Sequence, residues 1–302
     1  MKVFAGSSNK LLAERIAKEL KIPLSSLEIH IFPDGERRVR VLEKVVDEDC
    51  VIVQPTSPPV DQNYMELFFI ADAIKRSGAK SVTAVIPYLG YQRQDHIFRD
   101  GEAVSLDVIV ETLEAVGINK VIVFDLHSVR IEQAFHIPLV HLSALPIFAE
   151  EIRKMLGSGQ ALAILNTVLV SPDMGGIRRI KILSKILNDM PYAAIVKNRN
   201  LETGELEASE VEGKLKDRAI IVDDMISSGG TIATACDFLK EKGVKEIFVF
   251  ATHAVFSDDS KKILEKADVE KVFVTDTIDI PKEKQFEKLE ILSTAKLISG
   301  NL

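Results

Sequence analysis

A faded internal repeat limits what this chain can fold into. "DAIKRSGAKSVTAVIP" (72–87) aligns without gaps on "DFLKEKGVKEIFVFAT" (237–252). Asp72, Lys75, Gly78 and Lys80 meet Asp237, Lys240, Gly243 and Lys245, every pair offset by 165. Apolar positions correspond as well, Ile74 with Leu239 and Val82 with Ile247. Each stretch reads as a helix end, a stopping glycine and a buried strand. Two further pairs keep the same order. "INKVIVFDLH" (118–127) matches "VEKVFVTDTI" (269–278) at an offset of 151, and residues 3–20 match 170–187 more weakly at 167. Three pairs in one order indicate two related α/β domains rather than a solenoid array. Helix and strand patterns alternate throughout, so each domain is expected to be a mainly parallel sheet flanked by helices.

The division is expected near residues 143–160, giving domains at 1–143 and 144–302, with the last residues able to pack back on the first. "GSGQ" (157–160) is the clearest loop there, and "ALPIFAEEIRKML" before it has the pattern of a helix of the second domain. A length of 302 residues with 46% apolar and 27% charged content suits two folded domains. The formal charge of -7 argues against a broad basic surface for nucleic acid, though a local cationic cleft stays open. Cys50 and Cys236 have no metal or redox spacing and read as buried thiols. There is no N-terminal signal pattern and no apolar run long enough for a bilayer, so a cytoplasmic protein without membrane contact is expected.

The repeat also separates fold from function. A residue that only the fold needs should tend to recur at the matched position. Asp125 has its partner in Asp276, but His127 faces Ile278. Asp223 and Asp224 face only "QPT" (54–56). The two halves are therefore expected to do different work.

"RAIIVDDMISSGGTIATACDFLKEKG" (218–243) reads strand, loop, helix, with Ile220 to Val222 as the strand. In parallel α/β sheets, ligands bind beyond the carboxyl ends of strands. Ser227, Ser228, Gly229, Gly230 and Thr231 lie there at a helix start, where free N–H groups favour an anion and glycines let it approach. Asp223 and Asp224 are acceptors and would repel a phosphate, so they suit vicinal hydroxyls or a bridging cation. Phosphate at one end and hydroxyls at the other describe a sugar phosphate. The bland alternative is a turn with N-capping aspartates.

"VDDMISSGGT" (222–231) resembles the ribose-5-phosphate signature of phosphoribosyltransferases and ribose-phosphate pyrophosphokinases. Motifs in the first half favour the second family. "FPDGE" (32–36) resembles its adenine-binding segment, which implies roles for Phe32, Asp34, Gly35 and Glu36. "IPYLGYQRQDHIFRDGEAVS" (86–105) resembles its ATP stretch; Arg93 and Gln94 would contact ATP, Asp95 would orient them, and Arg99 would add charge near the polyphosphate. "FDLHSVRIEQAFHIPLVHLSA" (124–144) resembles its metal and nucleotide signature, which gives His127 to the magnesium–ATP unit. His136 and His141 match no motif role and read as structural. "SPDMGGIRR" (171–179) places Asp173 at the second magnesium position. "KNRNLETGELEASEVEGKLKDR" (197–218) is polar, lacks sustained periodicity and reads as an exposed arm. Its Lys197 and Arg199 resemble the family's catalytic pair, Arg199 also serving ribose 5-phosphate.

Five positions depart from the family pattern. Ser227 stands where an acid is common, His96 and Ile97 follow Asp95 in place of two basic residues, and Arg130 and Glu132 replace glutamines. The resemblance implies transfer of the diphosphate of ATP to the anomeric hydroxyl of ribose 5-phosphate, with Mg2+ as cofactor and a homo-oligomer whose ATP site is shared between subunits. A nucleobase phosphoribosyltransferase and a catalytically silent regulatory relative are the alternatives.

Overall fold

The computed structural model describes residues 1–128, 130–157, 165–199, 206–257 and 259–302; the side chains at 197–199 and 206–209 lie outside that description. The chain divides into two compact units. One comprises Met1–Ser143, Thr277–Asp279 and Ser293–Leu302, the other Ala144–Asp276 and Ile280–Leu292.

In the first unit the strands are β1 (Lys2–Ala5), β2 (Leu24–Ser25), β3 (Leu27–Ile31), β4 (Arg37–Val41), β5 (Asp49–Val53), β6 (Ser81–Val85), β7 (Lys120–Phe124) and β8 (Leu139–Leu142). The helices are α1 (Lys10–Glu19), α2 (Val60–Arg76), α3 (Ser105–Ala115) and α4 (Ile131–Ala134). Six strands form a parallel sheet in the order β2-β1-β5-β6-β7-β8, while β3 and β4 make a separate antiparallel hairpin. A parallel sheet covered on both faces needs near-continuous apolar strands. "DCVIV" in β5 shows this: Ile52 joins the core with α2 and α3, and Val51 and Val53 join the core with α1. Full burial of each such side chain stabilises by about 1.5–3 kcal/mol.

The second unit carries α5 (Leu145–Leu156), β9 (Thr167–Ser171), α6 (Ile177–Ile186), β10 (Tyr192–Arg199), β11 (Leu206–Glu212), β12 (Arg218–Ile226), α7 (Gly230–Glu241), β13 (Glu246–Ala254), α8 (Ser260–Lys266), β14 (Lys271–Thr275) and β15 (Leu289–Leu292). Its sheet runs β11-β10-β9-β12-β13-β14-β15, parallel except between β10 and β11. Ile221 faces one core, Ile220 and Val222 the other. The order β9-β12-β13-β14-β15 repeats β1-β5-β6-β7-β8, so the sequence pairs at 72–87 and 237–252 lie on corresponding helix–strand corners. The closing helix α9 (Ala295–Ser299) buries Ala295 and Ile298 in the α1 core of the first unit.

Two expectations change. β12 runs on to Ile226, so Asp223 and Asp224 stand in the strand and not in the loop after it; Asp223 is in register with Ala251 and Met225 with His253. The neighbouring β13, buried to Ala254, extends the ladder past the acids. The polar 197–218 segment is partly sheet, with β10 and β11 pairing from Ala194↔Glu212 to Arg199↔Leu206. Main-chain hydrogen bonds hold such an edge pair without apolar alternation, which hides it from periodicity. "GSGQ" begins at Gly157, which caps α5, and then passes outside the described residues.

Both cysteines are buried, and burial pushes the Cys50 thiol up to about 11 and the Cys236 thiol up to about 12. Among the described residues no helix is long and apolar enough to cross a membrane.

Candidate active site

In the second unit the site gathers at the C-terminal ends of β9 and β12. Asp224 is buried and Asp223 nearly so. Asp223 Oδ1 accepts the Asp224 N–H at 2.9 Å, and Asp224 Oδ1 accepts the Met225 N–H at 3.1 Å. Arg179 of α6 reaches both, with Nη1 3.3 Å from Asp223 Oδ1 and Nη2 3.7 Å from Asp224 Oδ2. Burial first, and then the Asp224 carboxylate, push the Asp223 carboxyl up to about 8, while the Arg179 guanidinium pulls the other way. Sequence reasoning missed Arg179, since "IRRIK" gives no sign of which arginine turns inward.

The strand gives way to Ser227, Ser228 and Gly229, and α7 begins at Gly230. Gly229 takes φ 83, the left-handed region, and a Cβ there would sit 3.2 Å from Leu264 Cγ. Glycine meets both demands. Ser228 Oγ accepts the Gly230 N–H at 3.4 Å. The N–H groups of the first helical turn have no partners within the helix, so at Ser227 to Thr231 the positive end of the helix dipole stands beside two acids. Across from it, Asp173 Oδ1 accepts the Gly176 N–H at 3.2 Å in the turn that opens α6. Beneath that turn, Ser171 Oγ is buried without a partner among the described residues.

Lys197 and Arg199 end β10, paired through the backbone with Ala208 and Leu206. Their side chains lie outside the described residues.

In the first unit two loops meet. Asp95 Oδ1 contacts His96 Nδ1 at 2.6 Å. Burial would raise the Asp95 carboxyl, but hydrogen bonds from His96 and Ser128 outweigh it and hold it below the usual carboxylate range. Asp95 therefore ties its own loop to the one after β7. Gln92 does similar work, its Oε1 accepting the His127 N–H at 3.0 Å while its Nε2 is buried without a partner among the described residues. His141, read as structural, accepts the Leu126 N–H at 3.0 Å through Nε2 and contacts Glu132 at 2.6 Å through Nδ1. Glu132, one of the departures from the family pattern, thus fixes the ring that supports the residue before His127. Asp125 has φ 32, rare for a residue with a side chain, and its Oδ1 accepts from Ser143 Oγ at 2.8 Å. Arg93, Gln94, Arg99 and His127 are exposed. Glu102 organises the Arg99 loop by accepting the N–H groups of Phe98 and Arg99 at 2.9 and 3.0 Å.

The 32–36 turn forms the tip of the β3–β4 hairpin. Phe32 donates its N–H to Glu36 O at 2.8 Å, and Gly35 donates to Phe32 O at 2.9 Å. Asp34 Oδ1 accepts the Glu36 N–H at 3.1 Å, leaving its other oxygen for a ligand. The exposed Phe32 ring stands edge-on to His30, centroids 4.7 Å apart.

No cluster of three or more His, Cys, Asp or Glu able to hold a metal occurs among the described residues. Asp173 as a single carboxylate at a strand end fits magnesium that arrives on phosphates, since that ion usually takes one or two carboxylates and keeps waters or substrate oxygens.

The sequence model of the N-terminal domain of ribose phosphate pyrophosphokinase matches residues 1–117, and that of the phosphoribosyl transferase domain matches 141–290. The ribose-phosphate pyrophosphokinase of Fusobacterium nucleatum is 39% identical over 99% of this chain and 93% of its own length. That of Aquifex aeolicus is 38% identical over 99% and 93%. The crystal structure of phosphoribosylpyrophosphate synthetase from Mycobacterium smegmatis superposes with a TM-score of 0.89 at 34% identity, covering 99% of this chain and 96% of that one. With both halves matched and relatives aligned nearly end to end, the chain belongs to the ribose-phosphate pyrophosphokinase family.

Proposed function

We propose that this chain transfers the diphosphate of ATP to ribose 5-phosphate, giving 5-phosphoribosyl 1-diphosphate and AMP. The observation that carries the reading is the helix N-terminus at Ser227 to Thr231, read as an anion cradle, beside two acids, in a chain aligned with ribose-phosphate pyrophosphokinases over 99% of its length. The cradle takes the 5-phosphate, and Asp223 and Asp224 accept from the ribose hydroxyls, with Arg179 limiting their mutual repulsion. Phe32, Asp34, Gly35 and Glu36 take the adenine; Arg93, Gln94, Arg99 and His127 take the phosphates of ATP.

The anomeric oxygen attacks the β-phosphorus and gives up its hydroxyl proton to solvent, the bond from that phosphorus to the oxygen bridging it to the α-phosphate breaks, and AMP departs with that oxygen. The protein's part is positioning and charge neutralisation. Lys197 and Arg199 place two cations on the charge that develops on the departing oxygen. His127 would hold magnesium carried on the phosphates of ATP, and Asp173 would hold a second magnesium; each, when bound, would neutralise phosphate charge. The protein acts in the cytoplasm as a homo-oligomer in which the 32–36 turn of one subunit completes a neighbour's ATP site.

The test is AMP release from ATP. It should require ribose 5-phosphate and no nucleobase. Binding of both substrates without AMP would favour a silent regulatory relative, and base-dependent consumption of phosphoribosyl diphosphate would favour a phosphoribosyltransferase.

A further inference from the structure

The ends of β1 and β5 correspond in the repeat to the ends of β9 and β12, where the second unit builds its ligand site. In the first unit that place is filled by the chain itself. Glu66 of α2 has a side chain with 0% exposure. Its Oε1 accepts the Ser7 N–H at 2.6 Å and the Gln54 Nε2–H at 3.0 Å, and its Oε2 accepts from Ser7 Oγ at 2.9 Å. Gln54 Oε1 in turn accepts from the N–H and Oγ of Ser8 at 3.1 and 2.7 Å. A Cβ at Gly6 would collide with the Gln54 amide, so the network is packed to its limit. A carboxylate is thus held by loop N–H, hydroxyl and amide groups between the ends of β1 and β5.

The fourth partner is Arg37, whose Nη1 meets Glu66 Oε2 and whose Nη2 donates to Gln62 Oε1 at 3.1 Å. Arg37 pairs with Ile31 in the last rung of the β3–β4 hairpin before the 32–36 turn. A lone two-stranded hairpin is marginal in water. Leu27, Ile29, Val39 and Val41 pack its base against the α2 core, but the tip is exposed. An ion pair to a buried carboxylate gives the tip a fixed anchor, because Arg37 cannot leave without stranding the Glu66 charge.

We propose that Glu66 is a built-in anion that positions the nucleotide-binding turn through Arg37. The proposal rests on the reading above that the 32–36 turn takes the adenine of ATP. Glu66 and Arg37 are positioning residues, and their loss should act on ATP alone.

The experiment compares Arg37→Leu, Arg37→Lys, Glu66→Gln and Phe32→Ala in the full-length protein, with separate KM values for each substrate. Arg37→Leu and Glu66→Gln should each raise the KM for ATP about tenfold, with kcat and the KM for ribose 5-phosphate within about twofold of the parent. Arg37→Lys should recover part of the loss. The Arg37→Leu/Glu66→Gln double variant should be no worse than either alone. Arg37 is partly exposed, so its variants keep the test open if Glu66→Gln fails to fold. If Phe32→Ala raises the KM for ATP and Arg37→Leu does not, the positioning claim is overturned while the reading of the turn stands. If Phe32→Ala leaves that KM unchanged, the reading fails and the proposal with it. Equal losses in both KM values and kcat would mark a merely structural role and overturn the proposal.

Discussion

The Arg179 guanidinium meets the Asp223 carboxylate across 3.3 Å, joining α6 to the end of β12. Without this cation two neighbouring carboxylates would share a nearly dry site. Even with it, burial and Asp224 push the Asp223 carboxyl up to about 8. The folded chain therefore keeps a proton that the unfolded chain releases in the usual carboxylate range. That contribution to stability is full at the acid end of the window and declines as pH rises toward 8. Ligand hydroxyls need acceptors, so binding should run the other way. The KM for ribose 5-phosphate should fall by about fivefold between pH 7 and 8, and Asp223→Asn should flatten the profile. Steady-state kinetics across pH 6.5–9 would check this.

Removing Arg179 leaves the two acids facing each other without a countercharge. Arg179→Ala should cost on the order of 2–4 kcal/mol of stability and raise the KM for ribose 5-phosphate at least tenfold. Arg179→Lys should recover little, since one ammonium cannot span both carboxylates. Thermal melts and kinetics of the two variants test it.

Gln92 joins the two loops on the ATP side by accepting the His127 N–H. Gln92→Ala leaves that N–H without its partner, at a cost of about 1–3 kcal/mol. The expected result is a lower kcat and a higher KM for ATP, with the KM for ribose 5-phosphate unchanged.

Gly229→Ala should destabilise by about 1–2 kcal/mol from its left-handed backbone alone, with the Leu264 contact adding to this. Ribose 5-phosphate affinity should fall as the cradle shifts, which calorimetry would read directly.

Ser227→Asp restores the acid common in relatives. A changed metal dependence would show that the position takes part in cation binding; unchanged kinetics would mean that Asp223 and Asp224 suffice.

Much of this arrangement is legible in the chain. Asp223, Asp224 and the glycines after them follow an apolar strand, and absence from the other half marks them as more than fold. His127 stands out by the same contrast. What the sequence hides is direction. Arg178 and Arg179 are adjacent and alike, and only the turn of α6 sends one to the acids. Glu66 sits in an amphipathic helix as one polar residue among several, and its burial depends on Ser7, Gln54 and Arg37 arriving from distant positions. Gln92 and His141 act on backbone N–H groups, which no side-chain pattern reports. The strand end at Ile226 and the β10–β11 pairing are set by ladders with neighbours, so local periodicity stops short of both.

The proposed reaction moves a diphosphate intact from ATP to the sugar. The most direct measurement follows the phosphorus atoms by 31P NMR in a mixture of the protein, ATP and ribose 5-phosphate. The expected result is equal growth of AMP and of a diphosphate bonded to C1 of the ribose phosphate, slowed at least 10²-fold in Lys197→Ala. Accumulation of ADP, or release of free phosphate with no diphosphate on the sugar, would contradict it.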